Sequence, residues 1–554
     1  FTGGKWAPAA LAIAALFAPA MAAQTKLDAT RVGVSVSPRP LTLKEATEIA
    51  LRNNLEIEIE RTNIDTQRQL LKAAKGAFDP IFRYNPFYEK RNTPAASTLQ
   101  AATGKLTEDF VNNNFSFLGR TPWRGMSFNG AFDNTRTNTN NPFVTLNPNV
   151  DSRLTFGATL PLLRNREIDF DRAQLRIRAK QIGVTELDLE LRAIDVIGRV
   201  EQAYWDLSAA RQAVQVAADG VNLSDEQLGR TTRQIDAGTL APVELSASQS
   251  ELERRKDTYY ANLDALNTIE NGLKMLLSPN RDSEIWKDEL IPTDKTPMIA
   301  TELEPLADAV KTAIAKRPEL KQVAQRREVN DVQTQFNKDQ LKPQINLIGN
   351  YTNAGLAGAI GTADNPFSSS NGPLYERLNR LSATAGLPPL QPPSFGSLPG
   401  FLVGGYGQAL QSLFGGRFPS VQVGVQFDLN LRNQTAQANL AQTVIADKRL
   451  NLEKTRAEQI IDMQVRNALQ SLQASRQRIT AATAAVTASQ EKLDSESRLF
   501  QTGESTNFLV LTRQNELLES RRRAVVAQLE FNKAAARLEQ AKGETLETYK
   551  ISVR

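Results

Sequence analysis

The chain has 554 residues, with 66 Lys and Arg against 61 Asp and Glu, a net charge of +5, and neither His nor Cys. Those two absences remove Ser-His-Asp and Cys-His catalysis, imidazole and thiolate metal sites, iron–sulfur clusters and disulfides. Carboxylates are spread along helical stretches without converging, so the expectation is a non-enzymatic protein without cofactor or metal. Basic and acidic residues also alternate, without the segregated basic face and aromatic platforms that nucleic-acid binding requires.

From the N-terminus, Lys5 precedes an apolar, Ala-rich run from Ala7 to Ala20, which ends in the A-x-A site Ala20-Met21-Ala22. This pattern reads as a secretory signal peptide over 1–22, because the apolar run is too short to span a bilayer as a mature helix. A short membrane anchor is the competing reading. Elsewhere no segment has the 18 uninterrupted apolar residues of a membrane helix. An extended segment is expected over 23–40.

From Leu41 the chain repeats itself. A shift of 263 positions lays Ala46 on Ala309, Ala50 on Ala313, Glu56 on Glu319 and Pro80 on Pro343. Further on, a shift of 265 lays Gly238 on Gly503, Gln249 on Gln514 and Glu251 on Glu516. The repeat is far longer than a solenoid unit. It divides the chain into repeats at 41–278 and 304–549, a linker at 279–303 and a tail at 550–554.

Each repeat is expected to open with a short helix, at Leu43–Lys75 and Pro305–Leu341, the second kinked or interrupted at Pro318. Beyond Pro80 and Pro343 the apolar period switches to two. Leu154, Phe156, Ala158, Leu160 and Leu162 alternate with smaller or polar residues, as do Val421, Val423, Val425, Phe427, Leu429 and Leu431. Such stretches fit barrel strands with lipid on one side and water on the other. Half-buried sandwich strands carry the same pattern, but an export signal without an apolar helix favours the barrel. Segments rich in Gly, Pro, Ser and Asn, at Asn92–Asp151 and Thr352–Pro419, read as loops. Within the first of these, alternation at Phe110–Leu118 and Gly125–Asn134 marks a candidate extra hairpin.

Two long helices come after the strands, at Asn165–Asp236 and Asn433–Thr502, each about 100 Å at 1.5 Å per residue. Val200, Leu207, Val214, Val221, Leu228 and Ile235 recur every seven residues; Val465, Leu472, Ile479, Val486, Leu493 and Phe500 do the same. A strict seven-residue seam implies left-handed supercoiling against a partner helix. Gly238 and Gly503 suit helix-ending turns, and shorter helices follow at Val243–Leu277 and Phe508–Tyr549.

Several short motifs now carry a resemblance. They are the AxxxAxxxRPEL stretch ending at Leu320 with its weaker copy ending at Ile57, Ala203-Tyr204-Trp205, and Leu160-Pro161-Leu162-Leu163. The two glycine turns, each followed at equal distance by Gln249 or Gln514, complete the set. In order and spacing the chain resembles the TolC-type outer-membrane efflux proteins over Leu41 to Tyr549. The fold implied is mainly α with membrane β: long antiparallel helices forming a periplasmic tunnel, and strands contributing to a shared trimeric β-barrel. The resemblance further implies a homotrimer in outer-membrane lipid, with four strands per protomer in a twelve-stranded barrel. It implies a passive exit duct joined to an inner-membrane pump through a periplasmic adaptor. Independently, two to four strands cannot close a barrel alone, so a barrel here requires several copies.

The same resemblance places Gly238, Thr239, Leu240, Gly503, Glu504 and Ser505 at the periplasmic tip, where the adaptor docks, and Glu244, Leu509 and Thr512 at the entrance constriction. The family's acidic residues six and nine beyond the second glycine are here Leu509 and Thr512, and its Arg two beyond is Ser505. Glu244 keeps the acidic position after the first glycine. The constriction implied is one of Leu509, Thr512 and Glu504, without the family's acidic ring. Plainer roles stand beside these: Gly238 and Gly503 as helix caps, Glu244 as a solvated charge, and Tyr204 and Trp205 as packing residues. The alternative for the whole chain is a secreted or periplasmic coiled-coil tether, which explains the heptads but not the strand alternation.

Overall fold

The computed structural model describes residues 31–34, 38–97, 99–101, 103–294, 304–361, 372–391 and 398–549. The expected signal peptide and C-terminal tail lie outside the described residues. In chain order the first elements are β1 (Pro38–Leu41), α1 (Leu43–Asn53), α2 (Leu55–Lys75), β2 (Ile81–Pro94), β3 (Lys105–Arg120), β4 (Ser127–Thr139) and β5 (Leu146–Pro161). Then come α3 (Phe170–Asp236), α4 (Val243–Leu277), β6 (Glu289–Pro292), α5 (Leu306–Lys316), α6 (Pro318–Gln340) and β7 (Gln344–Ile360). The last are α7 (Gly372–Thr384), α8 (Tyr406–Phe414), β8 (Phe418–Asp428), α9 (Gln434–Thr502), α10 (Asn507–Lys542) and α11 (Thr545–Thr548).

The long helices α3 and α9 run unbroken for 67 and 69 residues. Asn165 and Asn433, at their expected starts, both take positive φ, 65° and 39°; Asn tolerates this region better than most residues. Each expected opening helix is split in two, and the two splits use different chemistry. Asn54 turns extended after α1 because its own side chain supports the break, donating to the Leu276 carbonyl (3.1 Å) and accepting from the Glu56 amide (2.9 Å). Arg317 turns extended after α5 because a residue before proline is disfavoured in the α region, and Pro318 then starts α6. The expected helix to Tyr549 stops short at Lys542, where Gly543 takes the left-handed conformation and caps α10.

The chain divides into two compact units. One comprises the described residues of Phe1–Ile64, Thr185–Val323 and Glu453–Arg554. Its packing rests on small residues. Ala46 and Ala50 of α1 are fully buried in a cluster with Val196, Val200 and Leu207 of α3 and Leu273 and Leu277 of α4. Ala309 and Ala313 of α5 are equally buried against Ile461, Val465 and Ala468 of α9. Alanine at these positions lets helix backbones approach closely, and the seven-residue seam supplies the larger partners. All twelve seam residues of α3 and α9 are buried or half-buried.

The segment before α1 and the expected linker are drawn together, since β1 pairs in parallel with β6. Tyr204 ties this pair to α3. Its buried hydroxyl donates to the Leu41 carbonyl (3.0 Å) or the Asp294 carboxylate (2.6 Å) and accepts from the amides of Thr293 and Asp294. Burial and the adjoining carboxylate raise its pKa far above the phenolic range. Tyr204 is therefore a structural residue. Glu201, one turn earlier, is buried and accepts a hydrogen bond from the Tyr549 hydroxyl (2.6 Å), which anchors the chain after α11.

The second unit comprises Asp65–Val184 and Ala324–Leu452 and holds one antiparallel sheet of six strands, β2-β3-β4-β5-β7-β8. Two strands more than the family resemblance implies are present, because the candidate hairpin is real. Much of the segment read as a loop over Asn92–Asp151 is β3 and β4. Its runs of Asn and Thr lie within strands rather than a loop. Across the six strands the register joins Phe82, Phe117, Gly130, Phe156, Tyr351 and Val421 in one row, all on one face. One residue over, on the opposite face, the row reads Arg83, Ser116, Ala131, Thr155, Thr352 and Ser420. The other expected loop, Thr352–Pro419, is also partly structured: β7 continues to Ile360, and α8 packs over it. A Cβ at Gly355 would run into the Ala409 carbonyl and Leu413, so glycine is what allows α8 to seat.

Two measurements test these contacts. Tyr204→Phe takes the hydroxyl from the Asp294 amide and carboxylate, while the Leu41 carbonyl keeps its bond from the Thr293 amide (3.1 Å), and should cost about 1–3 kcal/mol, read as a lower denaturant midpoint. Burial lifts the Glu201 carboxyl to about 7, against the lowering effect of the Tyr549 hydroxyl and with Glu539 adding to the rise. A folded-state pKa raised above the unfolded value means stability is full below about pH 4.5 and is lost as pH rises through about 7. Glu201→Gln should flatten unfolding midpoints across that window; an unchanged slope would refute the assignment.

Candidate functional site

Among the described residues no helix is long and apolar enough to cross a membrane, and no cluster of His, Cys, Asp and Glu could hold a metal. The distinctive local chemistry lies where the long helices end, within the first unit. Gly238 and Gly503 take φ of 73° and 80°, with open space where a Cβ would stand. The amide of Gly238 donates to Ile235 and that of Thr239 to Gln234, at 2.8 and 2.9 Å. The amide of Gly503 donates to Phe500 and that of Glu504 to Leu499, at 3.2 and 2.9 Å. Both are the same six-to-one and five-to-two capping pattern, which satisfies the last helical carbonyls. The turns are thus built identically in the two halves.

Beyond the turns the two halves diverge. The start of α10 is capped by Thr506, whose hydroxyl accepts from the Leu509 amide (3.4 Å), whereas α4 starts from Pro242 with no side-chain cap. Asn507 then enters a buried polar junction. Its amide nitrogen donates to Glu244 Oε2 (3.0 Å) and Ser248 Oγ (3.2 Å), and its oxygen accepts from Gln227 Nε2 (2.9 Å). One side chain therefore ties α10 to α3 and α4. Thr231 of α3 meets Ser248 of α4 at 3.3 Å. At the positions 265 residues further on, Glu496 of α9 meets Arg513 of α10 at 3.6 Å. The same pair of places holds two hydroxyls in one half and an ion pair in the other. Ser505 adds a hydrogen bond to Glu496.

The residues read from sequence fall into distinct settings. Gly238, Thr239, Gly503 and Glu504 are exposed, and Leu240 and Ser505 half-buried. Glu244 is half-buried and held by Asn507, so it is not simply a solvated charge. Leu509 is exposed, while Thr512 is half-buried with its hydroxyl donating to the Phe508 carbonyl (2.8 Å). Val243 and Phe508 are 71% and 73% exposed and occupy matching places in the two halves. Sequence reading missed Asn507 and Gln227. The available signal was the mismatch of Asn507 with Pro242 at a shift of 265.

Asn507→Ala would leave Gln227 and Glu244 without their shared partner in a buried setting, at a cost of about 1–3 kcal/mol. Hydrogen exchange should then accelerate at the start of α10 and around Gln227; unchanged protection there would mean the junction does not hold the turns.

Comparison with known proteins places this geometry. Residues 136–278 match the family model described as outer membrane efflux protein. No curated protein matches the chain. Among solved structures, the outer-membrane channel OprN superposes with a TM-score of 0.60 at 13% identity, covering 90% of this chain and 89% of that one. The Campylobacter jejuni CmeC outer membrane channel gives a TM-score of 0.58 at 13% identity, covering 90% and 85%. The open state of the Neisseria gonorrhoeae MtrE outer membrane channel gives 0.56 at 14% identity, covering 90% and 88%. Residues 136–278 thus match the outer membrane efflux protein family, and the chain shares its fold with the TolC-type outer-membrane channels.

Proposed function

We propose that this protein is an outer-membrane channel that serves as the passive exit duct of a tripartite efflux or type I secretion system, spanning outer membrane and periplasm as a homotrimer. The observation that carries the reading is the sheet. One face presents an apolar, aromatic row across all six strands and the other a polar one, which suits lipid outside and water inside. The fold shared with outer-membrane channels supports it, and a soluble tether would leave the row at Phe82 to Val421 unexplained. The two sequence repeats, 41–278 and 304–549, would each supply strands, a long helix and its shorter partners. Nothing in this role requires a catalytic group.

In this reading the turns at Gly238 and Gly503 form the periplasmic tip, and the exposed Val243 and Phe508 offer apolar anchors for an adaptor coupled to an inner-membrane pump. Leu509, Thr512 and Glu504 line the entrance. Because Glu244 is engaged by Asn507 and neither Leu509 nor Thr512 carries a charge, Glu504 is, among the described residues, the one free carboxylate that each copy brings to the entrance. The test is reconstitution. Protein purified from outer membranes should require detergent and form pores in planar bilayers. Those pores should resist block by divalent and trivalent cations added from the periplasmic side. Soluble, pore-free protein would overturn the duct, and strong multivalent block would overturn the entrance assignment.

A further inference from the structure

Resting on that trimeric reading, we infer that the barrel has eighteen strands, six from each of three copies, closed by pairing β8 of one copy with β2 of the next. The sheet's two ends are open: β2 pairs only with β3, and β8 only with β7, among the described residues. Unpaired backbone groups in hydrocarbon each cost several kcal/mol, so a sheet in lipid must close on itself. The directions allow it. Six strands alternate in direction from β2 to β8, so β8 lies antiparallel to an incoming β2 and the ladder continues without a reversal.

The alternative is a twelve-stranded barrel in which the hairpin of β3 and β4 stands outside the membrane layer and β2 pairs with β5. Three features oppose it. The apolar row runs through the extra hairpin at full strength, with Phe115 between Tyr84 (ring centroids 4.6 Å apart) and Phe132 (6.2 Å). The turn joining β3 to β4 reaches the strand ends nearest the helices. There Arg120 pairs with Asp171 of α3 at 2.6 Å, and the Cβ position of Gly125 lies 2.7 Å from the Asn165 carbonyl. A hairpin confined to an outer loop would not extend to the start of α3. Finally, the edges of β2 and β5 that would have to meet are occupied by β3 and β4 along most of their lengths.

Each open edge carries one proline inside the strand, Pro86 and Pro419. Prolines are tolerated on edges but give no N–H, so the closing ladder lacks one donor at each of these positions. Barrel diameter grows roughly linearly with strand number, so this lumen would be about 1.5 times as wide as a twelve-stranded one. Its wall at the row of Ser116, Ala131, Thr155, Thr352 and Ser420 is small and uncharged, apart from Arg83. The duct is thereby suited to bulkier cargo, with little selection by charge at that level.

Because the chain has no cysteine, introduced pairs report only designed contacts. Phe82→Cys or Tyr84→Cys would be combined with Val421→Cys, Val423→Cys or Val425→Cys in the full chain in outer membranes, alongside Phe128→Cys with Val423→Cys. Oxidation should link neighbouring copies through at least one β2–β8 pair and through none with β4, and electron cryomicroscopy of the unsubstituted trimer in nanodiscs should count eighteen strands. A trimer with twelve strands, or linked through β4 and β8, overturns the inference while leaving the duct intact. Failure to form any oligomer overturns the duct reading itself.

Discussion

A backbone amide in hydrocarbon has no water to bond, and in the proposed duct this constraint governs the unit that holds the sheet. It demands that every strand be paired, that paired strands share one apolar face, and that the two end strands find partners in another copy. The sequence meets the first two demands by strict alternation. Phe82, Phe117, Phe156, Tyr351 and Val421 fall on one face, and the next row on the other reads Arg83, Ser116, Ala131, Thr155, Thr352 and Ser420. The third demand makes a single chain an incomplete object.

Duplication supplies the helical counterpart. Alanine pairs at 46 and 50, and at 309 and 313, do the same work in both halves, giving backbones room to approach a seven-residue seam. Yet equal geometry is reached by unequal means. A helix break comes from a side-chain amide at Asn54 and from the steric demand of Pro318 at Arg317. A contact above each turn comes from Thr231 with Ser248 and from Glu496 with Arg513. Backbone shape is preserved at the two turns while the side-chain chemistry beside them differs. Asn507, which has proline as its counterpart, is the sharpest case.

Some features were legible in the sequence and others were not. The long helices, their terminal glycines and α4 were located closely, since a seven-residue period over ten turns and a glycine at its end are strong local signals. The extra hairpin was half-legible. Its aromatic alternation showed, but Asn- and Thr-rich neighbours resemble loop composition when the strands they pair with are not known. The early end of α10 at Gly543 was missed because an isolated glycine in a helical pattern does not announce a left-handed cap.

By itself the sequence determined where the long helices run and end, where strand alternation lies beside them, and that the unit is doubled, because periodicity is a property of neighbours along the chain. Only the tertiary structure decided that six strands share one sheet, that α8 seats on Gly355, and that Glu244 is engaged by Asn507 across 263 residues. Those outcomes depend on which distant groups meet, and hydrogen bonds and close packing act through space rather than along the chain.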